Sequence, residues 1–376
     1  MKIVHIHHHY WPVVGGLENV VKALAEEQVK LGHEVHVITS TYGAEDRPRK
    51  EVINGVHVHR IKATRLMGYP DLTYPLEHPD VLKDADVVHG HSQNSLFTMK
   101  ILEHAKKQGV KTAIHFMAVD ALNDHPNLVV KLLGSKYSST MTRRAIKEFD
   151  IYMARSLRDK ELLMNRYGVR YVHYVPDGVN DELLNMEYLG DWFRKSRNIT
   201  SDYVLYIGRL HPLKGINYLI RAMKIVSNEI KDSSLIIIGP GDQRPYIDLA
   251  NRLGIRDKVL FLGYVNDREK IGALDASTAL VLPSICNYVE VYSMVISEAW
   301  ARQKPVIATA VGGIPYRVKN MENGILVPPK DTKALATAII TLLTNKELAR
   351  KLGARGRENV NSWNQIAKEV LKLYEK

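Results

Sequence analysis

The chain has 376 residues, of which 45% are hydrophobic, a single cysteine and a formal net charge of +11. That length exceeds one ordinary core and points to two domains of roughly 180 residues each. One cysteine excludes an internal disulfide, and no run of about 18 apolar residues exists to span a membrane. The start, MKIVHIHHHY, lacks the apolar stretch and cleavage site of a signal peptide, so a cytoplasmic protein is expected. The basic excess is +4 over residues 1–180 and +7 over the remainder, with no basic arm. No nucleic-acid-binding signature accompanies it, which leaves phosphorylated substrates and anionic membranes as the partners for the charge.

In chain order, short apolar runs alternate with helical stretches. The first half reads as strands over 2–7, 34–39, 56–61, 87–91, 112–116, 151–154 and 173–175. A helix over 17–31 carries Val20, Val21, Leu24 and Val29. The second half reads as strands over 203–208, 234–239, 259–262, 279–282, 306–308 and 325–327. Helices fall over 215–229, 243–253, 267–274, 293–302, 332–343 and 346–360. Such alternation means α/β architecture, with parallel sheets covered by helices on both faces. Two doubly wound, Rossmann-like domains in series follow, with ligands expected at the carboxyl ends of their strands, where the two sheets face one another. The turn Pro176-Asp177-Gly178 places the linker near Gly178–Asn180, giving domains 1–179 and 180–361. The amphipathic end, 362–376, is expected to cross back to the first domain.

Near the N-terminus stand His5, His7, His8 and His9, followed by Gly15-Gly16. On a continuing strand, His5, His7 and His9 would share one face and His8 the other. Zinc needs three or four converging ligands, and no Cys or Glu-x-x-His partner is nearby, so no metal site is assigned. Gly15-Gly16 follows the first strand and precedes a helix with Glu18 in its first turn. Glycines there form a tight turn and let backbone N–H groups approach an anion. A plain strand-to-helix turn has the same sequence.

The second half carries more chemistry. Gly208-Arg209 ends a strand, and Lys214-Gly215 precedes a helix. Two fixed cations can neutralise a diphosphate without a metal, and arginine grips phosphate oxygens bidentately. Gly239 and Gly241 end the next strand, suited to close approach of a ring or phosphate. Glu290 and Glu298 lie eight residues apart, about 12 Å along a helix. A helix beginning near Ser293 would set the free amides of Ser293, Met294 and Val295 between the two carboxylates, where a phosphate binds. A nucleotide diphosphate sugar fits: one carboxylate for sugar hydroxyls, amides for phosphates, one carboxylate for ribose. Two unrelated acids on an exposed helix have the same spacing.

Taken in order, Gly15-Gly16, LGHEVHVIT (31–39), AIHF (113–116), VPDGV (175–179), GRLHPLKG (208–215), GPG (239–241), FLGYV (261–265), LPS (282–284), Glu290-x7-Glu298, KPVIATAVGG (304–313), NGILVPP (323–329) and SWNQIAKEVLKLYE (362–375) resemble the family 4 retaining glycosyltransferases. The resemblance covers nearly the whole chain. It implies the GT-B fold, an N-terminal acceptor domain and a C-terminal nucleotide-sugar domain. Arg209 and Lys214 would hold the diphosphate without metal or cofactor, Glu298 the ribose and Glu290 the donor sugar. Gly16 would meet the donor phosphate from the opposite domain. Gly241, Val265, Ser293, Met294 and Val295 complete the implied donor set, and His115 would sit beside the transferring sugar. A UDP-, GDP- or ADP-sugar would be the substrate, with retention by front-side substitution. Departures are Val291-Tyr292-Ser293 for a usual Pro-Phe-Gly, Tyr316 for a frequent glutamate and Asp177 for a common asparagine; they bear on donor preference and on activity.

The acceptor would be a glycan or a lipid-linked hydroxyl. From 127 to 147 the chain carries Lys131, Lys136, Arg143, Arg144 and Lys147 with no acid, after Leu128, Val129, Val130, Leu132 and Leu133. Such a segment could lie on an anionic membrane, at the inner face of the cell membrane; an ordinary helix with a solvated basic face reads the same way. Two other functions fit the residues: a sugar-nucleotide epimerase of the same fold, and a non-catalytic sugar-nucleotide-binding protein.

Overall fold

The valine- and isoleucine-rich runs form strands buried on both faces, as a parallel sheet covered by helices requires. The structure is a computed structural model and describes residues 1–376. The chain divides into two units, Met1–Gly178 with Asn361–Lys376, and Val179–Val360.

The first unit contains β1 (Lys2–Ile6), β2 (Glu34–Ser40), β3 (Lys50–Ile53), β4 (Val56–Ile61), β5 (Ala63–Arg65), β6 (Thr73–Pro75), β7 (Val87–His91), β8 (Lys111–Phe116), β9 (Ile151–Ala154) and β10 (His173–Tyr174). Its main sheet runs β10-β9-β8-β7-β1-β2-β4-β3, parallel except for β3. Strands β5 and β6 form a separate ribbon. The winding reverses between β1 and β7. One face packs Val4, Ile6, Val88 and Ile114 against the helix Leu96–Lys107. The other packs Val35 and Val37 against Val21 and Ala25 of the helix Gly16–Lys30.

A reciprocal capping box between Ser362 and Gln365 starts the terminal helix Trp363–Tyr374, and that helix packs on Gly16–Lys30.

The second unit contains β11 (Asp202–Ile207), β12 (Ser233–Ile238), β13 (Val259–Gly263), β14 (Ala279–Leu282), β15 (Val306–Thr309) and β16 (Gly324–Val327). The order β13-β12-β11-β14-β15-β16 is wholly parallel and reverses between β11 and β14. That reversal opens a crevice at the carboxyl ends of the two strands. Between Gly178 and β11 the chain forms two short helices, Asp181–Asn185 and Gly190–Ser196. Arg302 ties the first down, donating to the carbonyls of Leu183 (3.0 Å) and Met186 (2.9 Å). No helix is long and apolar enough to cross a membrane.

Candidate active site

The second unit gathers its polar groups where its winding reverses. Lys214 follows β11, in a turn ending at Gly215. Gly215 has φ 69°, and a Cβ there would fall on the carbonyl oxygen of Pro283, just past β14. Only glycine permits that approach, which brings the two strand ends together. Lys214 Nζ then donates to Glu290 Oε1 (2.7 Å) and to the Val289 carbonyl (3.3 Å). Ser284 Oγ donates to the same carboxylate oxygen at 2.6 Å. Glu290 is 2% exposed, so its charge is held by named partners rather than water.

The backbone at Glu290 is fixed as firmly. Its carbonyl accepts from Gly313 N (2.7 Å), and Asn287 Oδ1 accepts from Gly312 N (2.8 Å). Gly312 has φ 55°, and a Cβ there would strike the Glu290 carbonyl. The Gly312-Gly313 pair therefore serves as a rest for the Glu290 loop.

The helix Met294–Ala301 starts just beyond, with Ser293 at its cap. At its start Ile296 N donates to the Ser293 carbonyl at 3.2 Å, and the amides before it have no intrahelical acceptor. Ser293 Oγ makes no capping bond. Instead Arg317 donates to the Ser293 carbonyl (2.6 Å) and to Ser297 Oγ (2.5 Å), with its guanidinium 4.0 Å from the Tyr292 ring centroid. Tyr292, at the place of the expected phenylalanine, is thus clamped by a cation. Glu298, at the start of the helix's second turn, pairs with Lys270 at 3.1 Å. Burial alone would lower the Lys270 ammonium, but the charges of Glu298 and Asp267 outweigh it and raise it.

Of the sequence-predicted donor residues, the structure brings Lys214, Glu290, Ser293, Met294, Val295 and Glu298 to one end of this sheet. Arg209 is exposed just after β11. Gly241 lies against Leu210. The side chain of Val265 is buried in the core, which leaves only its backbone to face outward. Glu290 turns its carboxylate onto Lys214 and Ser284, so Lys214 is held by Glu290.

The first unit is built otherwise at its own reversal. Strand β1 stops at Ile6, so the shared face expected for His5, His7 and His9 does not form. His7 Nε2 and His9 Nδ1 each lie 3.6 Å from Glu18 Oε1, and His8 Nδ1 bonds Ser95 Oγ at 2.9 Å. Burial favours a neutral Glu18, but hydrogen bonds from His7 and His9 and from its own amide hold it well below the usual carboxylate range. A side chain on Gly15 would collide with the Glu18 carboxylate. The helix N-terminus expected to meet an anion therefore already carries one of its own. Beside Gly16 the space is open, with nothing within 4 Å of a built Cβ.

His5 turns inward to β7. Its Nδ1 lies 3.0 Å from His91 Nε2, and its Nε2 donates to Gln28 Oε1 at 2.7 Å. His89 Nδ1 meets the Tyr374 hydroxyl at 2.6 Å. Ligating atoms of His5, His89 and His91 fall within 4.8 Å of one another. Sequence reasoning sought partners for His5 nearby and missed these, because parallel pairing brings them from 86 residues away. His115 ends β8; its Nε2 donates to the Val175 carbonyl at 3.0 Å. Burial, then the Arg155 charge, brings it down to about 3, so it is neutral. Its Nδ1 is buried without a partner. Asp177 accepts from Arg155 Nε at 2.9 Å, which fixes the segment after Val175.

In the segment from 127 to 147, a wide turn over Val130–Gly134 leads into the helix Ser135–Glu148. Leu128, Val129, Leu132 and Leu133 are each about two-thirds exposed, beside exposed Lys131 and Lys136. Arg144 does not join the basic face. It pairs with Glu103 (2.7 Å) and Glu148 (3.1 Å), and Arg143 lies 5.3 Å from the Tyr167 ring.

Two family models match the chain: Glycosyltransferase Family 4 over residues 14–183, and Glycosyl transferases group 1 over residues 191–359. The chain is 30% identical to an uncharacterized glycosyltransferase of Methanocaldococcus jannaschii, covering 100% of this chain and 98% of that one. It is 27% identical to the phosphatidyl-myo-inositol mannosyltransferase of Mycobacterium leprae, over 100% and 96%. Among solved structures, the Anabaena protein HepE in complex with UDP-glucose aligns with a TM-score of 0.74 at 18% identity, covering 100% of this chain and 99% of that one.

Proposed function

Because the chain belongs to the family 4 glycosyltransferases and has the GT-B fold, we propose that it is a retaining transferase that moves a sugar from a nucleotide diphosphate sugar to a hydroxyl of a glycan or lipid-linked acceptor. The observation that carries this reading is the junction of β11 and β14. A lysine, a buried carboxylate and an open helix start converge there, at the crevice where such sheets take ligands.

In this reading the second unit holds the donor. Arg209, Lys214 and the amides of Ser293, Met294 and Val295 take the diphosphate, with the backbone of Gly241 and Val265 beside the nucleotide. Glu298 takes the ribose hydroxyls and Glu290 the donor sugar. The bond from the anomeric carbon to the diphosphate oxygen breaks, and the acceptor oxygen bonds that carbon on the same face. The acceptor proton passes to the departing diphosphate. Charge grows on the leaving group, so cations and amides fixed around it lower the barrier without a metal. Glu290 stands ready to exchange Lys214 for a sugar hydroxyl, while Ser284 keeps its orientation. In the first unit Gly16 leaves its backbone open to an anion, and neutral His115 positions the Val175 segment. A UDP-sugar is the first donor to try, because HepE was solved with UDP-glucose.

The exposed Leu128, Val129, Leu132 and Leu133 with Lys131 and Lys136 support an anionic membrane as the place where the acceptor is met. The phosphatidyl-myo-inositol named in the Mycobacterium leprae relative agrees with a lipid acceptor. Vesicle sedimentation tests this: binding to phosphatidylglycerol vesicles, lost in Leu132→Ser/Leu133→Ser, is expected, and equal binding by the variant would remove the reading.

The reaction itself is tested by incubating the protein with UDP-glucose, GDP-mannose and ADP-glucose, with and without lipid acceptors. Product with the donor's anomeric configuration, by NMR, is expected. Conversion of the donor sugar without acceptor would identify an epimerase, and binding without turnover a sugar-nucleotide-binding protein.

A further inference from the structure

Three histidines on β1 and β7 are wholly buried in the first unit and play no part in the transfer. His5 and His89 are direct register partners on neighbouring parallel strands, and His91 is two residues beyond His89, on the same face. All three show 0% exposure. Three imidazoles therefore meet in the buried interior.

Gln28 Oε1 can only accept, so His5 carries its proton on Nε2, and its bare Nδ1 accepts from His91 Nε2 at 3.0 Å; a metal would take the place of that proton. Tyr374 engages Nδ1 of His89, which leaves His89 Nε2 buried with no partner. His91 Nδ1 is likewise buried and unpartnered. A buried ring nitrogen without a partner is a standing penalty in a protein interior. His5 and His89 each have the outer nitrogen bonded, to an amide and to a hydroxyl, as metal-ligating histidines do, whereas His91 Nδ1 has no such bond.

We propose that His5, His89 and His91 supply three nitrogen ligands of a site for a borderline transition-metal dication, of the zinc class, with a water enclosed at folding in the fourth position. Tetrahedral ligands about 2.0–2.1 Å from zinc stand roughly 3.3 Å apart, close to the 3.0 Å between His5 Nδ1 and His91 Nε2. The ligating atoms lie within 4.8 Å of one another, so small ring rotations close the set. Neutral nitrogen donors without thiolate or carboxylate suit zinc, cobalt, nickel or copper rather than magnesium or calcium. The metal would tie β1 to β7 and, through His89 and Tyr374, to the terminal helix. The site is sealed, so it fills as the chain folds.

The test is metal content by plasma mass spectrometry after expression in zinc-supplemented medium and purification without chelator. It is repeated after refolding with stoichiometric zinc or cobalt. About one equivalent per chain is expected, falling at least tenfold in His89→Gln and in His5→Gln. A second histidine group, His36, His57 and His59, stacks on β2 and β4 nearer the surface. The double variant His36→Gln/His59→Gln should therefore keep its equivalent. Cobalt-refolded wild type should show the visible absorption of a tetrahedral nitrogen-ligated ion, a readout that needs no variant to fold. Less than about one-tenth of an equivalent by both routes, with no cobalt spectrum, would overturn the proposal. So would metal that persists in both the His5 and His89 variants or leaves with His36 and His59.

Discussion

The two units share one winding plan and furnish its reversal in opposite ways. At β1/β7 the first unit places histidines that burial keeps neutral, and it fills its own helix N-terminus with Glu18. At β11/β14 the second unit places an ion pair, Lys214 with Glu290, and leaves the start of the helix Met294–Ala301 without a side-chain cap. The same reversal is lined by buried histidines and a carboxylate in one unit, and by an ion pair beside an uncapped helix start in the other. Topology supplies the crevice, and the side chains at the strand ends decide what it does.

The largest effect should come from breaking the second unit's pair. Lys214→Ala removes a carboxylate's partner, leaving Ser284 on Glu290, and with it the cation proposed to bind phosphate. A fall in kcat/KM of about 10²–10³ is expected in a transfer assay with labelled donor. Next comes a contrast between glycines. Gly215→Ala must place a Cβ on the Pro283 carbonyl at φ 69°, and a loss of about 2–4 kcal/mol is expected by denaturant titration. Gly16→Ala meets open space, so stability should stay within about 0.5 kcal/mol while transfer falls.

A third test concerns a first-unit carboxyl that burial disfavours as an anion. Asp159, fully buried in the helix Leu157–Asn165, is pushed up to about 6 by burial, against hydrogen bonds that favour its charge. An unfolded aspartate titrates near 3.9. Between those values the folded chain holds a proton that the unfolded chain has released, so stability falls as pH rises from 4 to 6 and then levels. Asp159→Asn should remove that slope, on the order of 2–3 kcal/mol, in denaturant midpoints taken at pH 4.5 and 7. The smallest effect belongs to Glu298→Gln. The pair with Lys270 is partly exposed, and nucleotide affinity should drop about tenfold by calorimetry, with stability little changed.

The parallel strands of the two main sheets were legible as short runs bounded by turn residues, whereas the ribbon β5–β6 was not read; Val56–Ile61, Val87–His91, Ile151–Ala154 and Ala279–Leu282 match the expected bounds. Strand β3 was missed although Asn54-Gly55 between KEVI and VHVHRI is a hairpin signal, because its residues are half exposed and lack a clear apolar run. The Glu290-x7-Glu298 spacing was legible as a helix start between two acids. Where Glu290 points was not, since that depends on Gly215 and Gly312 drawing distant loops together. The clamp of Arg317 on Tyr292 and the His5–His89–His91 group were hidden for the same reason. Parallel pairing joins residues whose separation in the chain carries no periodic signal.

The most direct measurement is a thermal-shift series with UDP-, GDP- and ADP-sugars, without added metal, on the wild type and Lys214→Ala. A ligand that binds only the folded state raises the midpoint by mass action. The account predicts a rise with one nucleotide class in the wild type and none in Lys214→Ala. No rise with any nucleotide sugar at millimolar concentration, or an equal rise in the variant, would contradict it.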